Sequence, residues 1–156
     1  MAPYKEESYL FENNNLIKLS FYIYRDNKKI NTGMIIYSYY KNNRLKRIEY
    51  YSFEESVNQM YIFGLDQYTY KDDRLISRRI IEYELNRENQ QPMQIGHYVI
   101  SFKDEQIDSM KLSIMDKVSK KIIENNFPDG DLVYTKIENL ENSYIRKSRG
   151  KEFLKN

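Results

Sequence analysis

Gly33-Met34-Ile35-Ile36-Tyr37-Ser38-Tyr39-Tyr40-Lys41-Asn42-Asn43-Arg44-Leu45 is the stretch on which the fold turns. Its frame returns as Gly64-Leu65-Asp66-Gln67-Tyr68-Thr69-Tyr70-Lys71-Asp72-Asp73-Arg74-Leu75, and again as Gly96-His97-Tyr98-Val99-Ile100-Ser101-Phe102-Lys103-Asp104-Glu105-Gln106-Ile107. Gly130-Asp131-Leu132-Val133-Tyr134-Thr135 opens a fourth copy that departs from the frame after Thr135. The four glycines, at 33, 64, 96 and 130, are 31, 32 and 34 residues apart. Such a period marks one supersecondary unit used several times. The first copy carries one extra residue, Tyr39 or Tyr40.

Each copy reads as strand, turn, strand. Alternation after the Gly puts Ile35, Tyr37 and Tyr39 on one face, with Tyr68 and Tyr70, with Tyr98, Ile100 and Phe102, and with Leu132 and Tyr134. Ser38, Thr69, Ser101 and Thr135 point to the other face. Asn42-Asn43, Asp72-Asp73 and Asp104-Glu105 are turn residues, since Asn and Asp tolerate left-handed backbone. Outgoing strands over 44–53, 74–85 and 106–114 are rich in Ile, Leu and Tyr, and their broken alternation predicts a bulge after the first apolar residue. Residues 16–24 and 30 onward, around Arg25-Asp26-Asn27-Lys28, supply a preceding hairpin. Connectors such as 86–92 are polar, and Pro92 argues against a central strand there.

Two segments are less regular. Residues 113–126 carry Ile114, Val118 and Ile122 at helical spacing, but also fit a hairpin turning at Asp116-Lys117, which the repeat favours. Residues 142–156 are basic and suit a short surface helix or a frayed tail. The expected fold is therefore mainly β: an antiparallel meander of about four imperfect hairpin repeats over 16–140, in a single domain spanning 1–156, with a possible short C-terminal helix.

Composition narrows the function. No Cys is present, so disulfides, thiol nucleophiles and thiolate metal sites are excluded, and one His, His97, is too few for a multi-histidine zinc site. No metal or cofactor is expected. The paired acids Glu54-Glu55, Asp72-Asp73 and Asp104-Glu105 fall in turns or loops, where water keeps both members ionised. No phosphate-binding loop occurs. With 25 Lys and Arg against 23 Asp and Glu, bulk charge does not call for a nucleic acid. No apolar run is long enough to span a membrane and no signal layout opens the chain, so a cytoplasmic location is expected, or a periplasmic or secreted one if a signal has been removed.

A Gly followed by an aromatic strand, a polar turn and a Leu, over roughly 16–140, resembles bacterial relatives of membrane-occupation-and-recognition-nexus (MORN) repeats, and also tyrosine–aspartate repeats. Those families carry Gly in the turn before the Leu, where this chain has Asn43, Asp73 and Glu105. The resemblance implies an open antiparallel meander used for binding, of the kind found in antitoxin and immunity proteins that block a toxin by covering its active site.

The tyrosines decide where to look for a partner. There are 16 Tyr and no Trp, so most of them must serve as core and cross-strand residues. Tyr37, Tyr68 and Tyr134, with Ile100 in the same place, recur at a fixed offset from their glycines and read as the repeating core. Adjacent pairs, Tyr39-Tyr40 and Tyr50-Tyr51, put at least one ring outward unless a second layer covers it. Together with Arg44, Lys46, Arg47, Arg78 and Arg79 they form the expected contact surface, because Tyr and Arg are enriched at protein-interface hot spots. The leading expectation is a non-enzymatic protein that binds another protein, a toxin or an enzyme. The alternative is a module for single-stranded nucleic acid using the same rings and cations.

Overall fold

The computed structural model describes residues 4–116 and 118–150. Among these residues nine strands run in chain order: β1 (Tyr4–Glu12), β2 (Asn15–Arg25), β3 (Lys28–Tyr39), β4 (Leu45–Glu54), β5 (Gln59–Lys71), β6 (Arg74–Asn86), β7 (Gln91–Lys103), β8 (Gln106–Met115) and β9 (Ile122–Phe127). They form one sheet in which each strand pairs antiparallel with its sequence neighbours. A 3-10 turn at Glu55–Val57 leads into β5, and the chain closes with helix α1 (Gly130–Arg149) laid on one face of the sheet. The expected antiparallel meander of hairpins with a C-terminal helix is what the chain forms.

Turn chemistry sets the hairpins. Asn13-Asn14, Asp26-Asn27, Asp72-Asp73 and Asp104-Glu105 each have both residues at positive φ, between 50° and 65°. Two successive left-handed residues make the tight turn whose twist matches that of the flanking strands. The predicted bulge also occurs, at the predicted place. Tyr39 pairs with Leu45 but Ser38 pairs with Arg47, so Lys46 is left over. Ile76 and Asp108 are left over in the same way.

A second series of bulges explains the glycines. Register slips where Phe21 pairs with Gly33 but Tyr22 with Asn31, where Tyr50 pairs with Gly64 but Tyr51 with Ile62, and where Glu82 pairs with Gly96 but Tyr83 with Gln94. The residue before each Gly is therefore the extra one, and in the first two cases it shares the helix-side face with its Gly. Thr32 Oγ1 donates to the Arg149 carbonyl at 2.7 Å, and Phe63 packs its ring 5.6 Å from that of Tyr144. The glycine that follows lies directly beneath α1. A Cβ at Gly33 would overlap the Ser148 carbonyl oxygen and stand 2.7 Å from the Tyr51 carbonyl oxygen; one at Gly64 would sit 2.9 Å from the Tyr144 ring.

The core lies between α1 and that face. Phe21, Ile35, Tyr50, Phe63, Ile80 and Ile100 from the sheet meet Val133, Ile137 and Tyr144 from the helix. A charged cluster is buried with them. Arg78 Nε donates to Asp66 Oδ1 at 2.9 Å and Oδ2 at 3.1 Å, and its guanidinium also pairs with Glu141 of α1. The Tyr68 hydroxyl donates to Asp66 Oδ2 at 3.2 Å. Burial pushes the Asp66 carboxyl above the usual carboxylate range, against the pull of Arg78 and Tyr68.

Several expectations are corrected. The fourth copy at Gly130 is not a strand but the start of α1, which begins twelve residues before the expected helix at 142. Asp129 caps it, accepting from the backbone N–H groups of Asp131 at 2.9 Å and Leu132 at 3.3 Å. Val133, Ile137, Tyr144 and Ser148 then fall on one buried stripe, so Leu132 and Tyr134 face solvent instead of the core. Residues 151–156 of the expected basic tail lie outside the described residues. The described residues of 113–126 form the hairpin, in which the Asp116 carbonyl accepts from Lys120 N–H at 2.7 Å; Lys117 of the expected turn lies outside the described residues. The connector at 86–92 shrinks to a turn, with Pro92 near the start of β7 opposite Leu85. Strand β1 lies before the expected start of the repeat at residue 16.

Three stability measurements follow from these contacts. Gly33→Ala drives a methyl into the helix backbone and is expected to cost about 1–3 kcal/mol, read as a lower urea midpoint at unchanged m-value. Glu105→Gly relieves a left-handed non-glycine residue at φ 65° and is expected to raise that midpoint by about 0.5–1 kcal/mol equivalent. Arg78→Met strands a buried carboxylate and is expected to cost about 3–5 kcal/mol, part of it recovered by adding Asp66→Asn.

Candidate functional site

The extra residue of the first copy builds the site. The second and third frames turn on two residues, whereas β3 and β4 are joined by a longer loop across 40–44. Arg44 carbonyl accepts from Tyr40 N–H at 2.8 Å, Tyr40 carbonyl accepts from Asn43 N–H at 3.0 Å, and the Asn42 side chain accepts from Arg44 N–H at 3.2 Å. This loop throws Tyr40 sideways onto the next hairpin. Its hydroxyl donates to the Tyr68 carbonyl at 2.9 Å, and its ring meets that of Tyr70 edge-on at 6.0 Å.

Tyr70 is itself fixed, because its hydroxyl donates to the Leu45 carbonyl at 3.0 Å. Tyr39 does the same one repeat earlier, donating to the Leu16 carbonyl at 2.8 Å. Cations complete the surface. Arg44 lies over the Tyr70 ring at 5.3 Å and 4.0 Å from Asp73, while Lys46, the bulge residue, lies over Tyr40 at 5.5 Å. Burial raises the Tyr70 hydroxyl pKa, with Arg44 opposing it. Between the two hairpin tips an open groove of about 810 Å³ is lined by Tyr39, Tyr40, Lys46, Tyr70, Asp72 and Asp73, among others. It offers rings, ammonium groups and carboxylates together.

The expected contact residues divide three ways. Tyr39, Tyr40, Arg44 and Lys46 gather at the groove. Arg47, Tyr51 and Arg79 project from the opposite, uncovered face of the sheet, where Arg47, Gln67, Arg79, Val99 and Lys111 stand in one cross-strand row. A row of hydroxyls, Thr69, Ser77, Ser101 and Ser109, runs beside it. Arg47 is 3.8 Å from Glu49 and Lys111 is 3.8 Å from Glu124. Tyr50 and Arg78 are corrected: at 4% and 8% exposure they belong to the core, because α1 is the second layer that covers them. Tyr50 packs 5.1 Å from Tyr144, and Arg78 holds Asp66 and Glu141.

Tyr70, Asp72 and Asp73 are groove residues that the pattern alone assigned to core and turn. The signal for them was the one-residue insertion in the first frame, which forces a wider loop beside an unchanged tight turn. His97 lies on the uncovered face of β7 in a small cleft with Ser113 and Glu124, its imidazole pKa lowered by burial and then by Arg79. Among the described residues no three His, Cys, Asp or Glu side chains converge as metal ligands, and no helix is long and apolar enough to cross a membrane.

No protein-family model matches the chain, and no curated protein matches it. Solved structures do resemble it. A Bacteroides fragilis protein of unknown function has a TM-score of 0.55 at 12% identity, over 81% of this chain and 93% of that one. A DUF3836 family protein from Bacteroides vulgatus has a TM-score of 0.43 at 15% identity, over 58% of this chain and 90% of that one. Another from Parabacteroides distasonis has a TM-score of 0.39 at 11% identity, over 86% of this chain and 97% of that one. The first of these likenesses shows a shared fold and nothing about activity.

Proposed function

We propose that the protein acts by binding, as an immunity- or antitoxin-type component that neutralises a partner toxin or enzyme by covering it. The observation that carries this reading is the groove between the hairpin tips. Tyr40 and Tyr70 present amphipathic rings whose positions are fixed by hydroxyl–carbonyl bonds, so little side-chain freedom is lost on contact. Arg44 and Lys46 lie over those rings while Asp72 and Asp73 stand opposite. A protein surface can answer rings and both signs of charge at once, whereas a phosphate backbone would meet the two aspartates unfavourably. Steric occlusion asks nothing of catalytic groups, and the chain is read as a non-enzyme.

A second reading rests on a different observation. On the uncovered face Arg47, Arg79 and Lys111 recur on every second strand, about 10 Å apart at ~4.8 Å per strand. With the hydroxyl row beside them they could track a single-stranded nucleic acid. Two of the three cations already face carboxylates, so the groove remains the leading site.

Co-expression with the product of the neighbouring gene tests the two readings together. The first expects a stoichiometric complex that survives high salt and weakens tenfold or more, about 1.4 kcal/mol, on Tyr40→Ala or Lys46→Glu. Arg79→Glu and His97→Gln should leave it intact. Nucleic acid that is released by salt, and lost with Arg79→Glu, would replace the first reading by the second.

A further inference from the structure

The sheet has two open ends. Among the described residues, strands β1 and β9 each have a partner on one side only, which leaves a row of backbone N–H and C=O groups facing outward at both edges. Soluble sheets usually blunt such edges with Lys, Pro, bulges or a covering element. Here both edges carry large apolar side chains in the open. Tyr9, Leu10 and Phe11 of β1 are 54%, 53% and 61% exposed, and Ile122 and Ile123 of β9 are 69% and 50% exposed. Among the described residues, α1 does not cover them: it meets the β1 edge through Arg149 and Glu7, and the β9 edge through Lys136 over Phe127.

The two edges are also unlike in charge. Glu6 and Glu7 of β1 are paired with Lys29 and Arg149, which leaves Glu12 at the end of that strand, whereas Lys120-Lys121 lead directly into β9, whose Glu124 is paired with Lys111. An acidic apolar edge and a basic apolar edge on one molecule are complementary to each other and not to themselves. We propose that β1 of one copy pairs antiparallel with β9 of a second copy, so that the sheet continues from molecule to molecule. One register sets Leu10 opposite Ile123, Phe11 opposite Ile122 and Glu12 opposite Lys121. Strands β1 and β9 run the same way within one copy, so an antiparallel joint turns the second copy over: Leu10 lies on the uncovered face, through Lys18, and Ile123 on the helix side, through Ile114, and this register places the helices of successive copies on alternate faces. The contact is heterologous: each copy keeps one free edge, and the assembly either grows end to end or closes into a ring.

Sedimentation of the full chain from micromolar to near-millimolar concentration is the test. The wild type is expected to exceed the mass of one copy, rising with concentration or settling at one closed ring. Leu10→Lys blocks β1 and Ile123→Lys blocks β9, and each variant alone should have the mass of one copy. Mixed, they still offer one good β9 and one good β1, and should form a species of two copies and nothing larger. Phe11→Lys and Ile122→Lys serve as a second pair if circular dichroism shows that either first variant has lost its sheet. A wild type that stays at one copy throughout overturns the proposal. Self-association that persists in either blocked variant alone, which would mean that like edges pair, overturns it too, as does a mixture that forms no two-copy species.

Discussion

The contact between the backbone of Ser148 and the bare Cα of Gly33 is the constraint that the rest of the structure answers to. A helix can lie this close to a sheet only where the strand beneath has no side chain, and Gly64 repeats the accommodation under Tyr144. Both glycines follow a bulge that turns two successive residues to the same side. The first of the two, Thr32 or Phe63, holds the helix by a hydrogen bond or a ring contact, and the second makes room for it. The thirty-odd-residue period seen in the sequence is thus the spacing of alternate strands under one crossing helix.

Tyrosine is abundant because this architecture has one covered face and many rims. A ring packed at the edge of the core can place its hydroxyl on a neighbouring strand's carbonyl or on a carboxylate, which Phe cannot do. Tyr39 and Tyr70 tie alternate hairpins together through Leu16 and Leu45, Tyr98 donates to Glu82, and Tyr24 donates to Glu6. Phe102 occupies the equivalent place in the third frame without a hydroxyl, and there the core contact alone remains. The same rings that brace the hairpins reach solvent at the tips, which is how a structural device comes to present a surface.

The hairpins were legible because their signals are local. Asn and Asp pairs tolerate left-handed backbone wherever they stand, and an unpaired residue after Leu45, Leu75 or Ile107 shows as a break in alternation. The same signal extends further than the glycines do. Phe11-Glu12-Asn13-Asn14-Asn15-Leu16 repeats the aromatic, polar, turn and Leu of the later frames, and it marks β1 even though no Gly opens that copy. Gly130 misled for the converse reason: it has the spacing and the first few residues of a repeat, but no turn pair follows. Without a turn to close a hairpin, the Asp129 cap and the stripe from Val133 to Ser148 prevail.

The sequence by itself determined the three hairpins opened by Gly33, Gly64 and Gly96, their turn residues, the bulges after Leu45, Leu75 and Ile107 and the absence of thiol or multi-histidine chemistry, since all of these depend on residue type and near neighbours. Only the tertiary structure decided which face each tyrosine and arginine would occupy for use. Tyr50 and Tyr51 are adjacent and chemically alike, yet one is sealed under α1 and the other is not. Arg78 and Arg79 part in the same way. The reason is that strand alternation sorts side chains into two faces but does not say which face receives the helix; that depends on where glycines fifty or more residues away leave room for it.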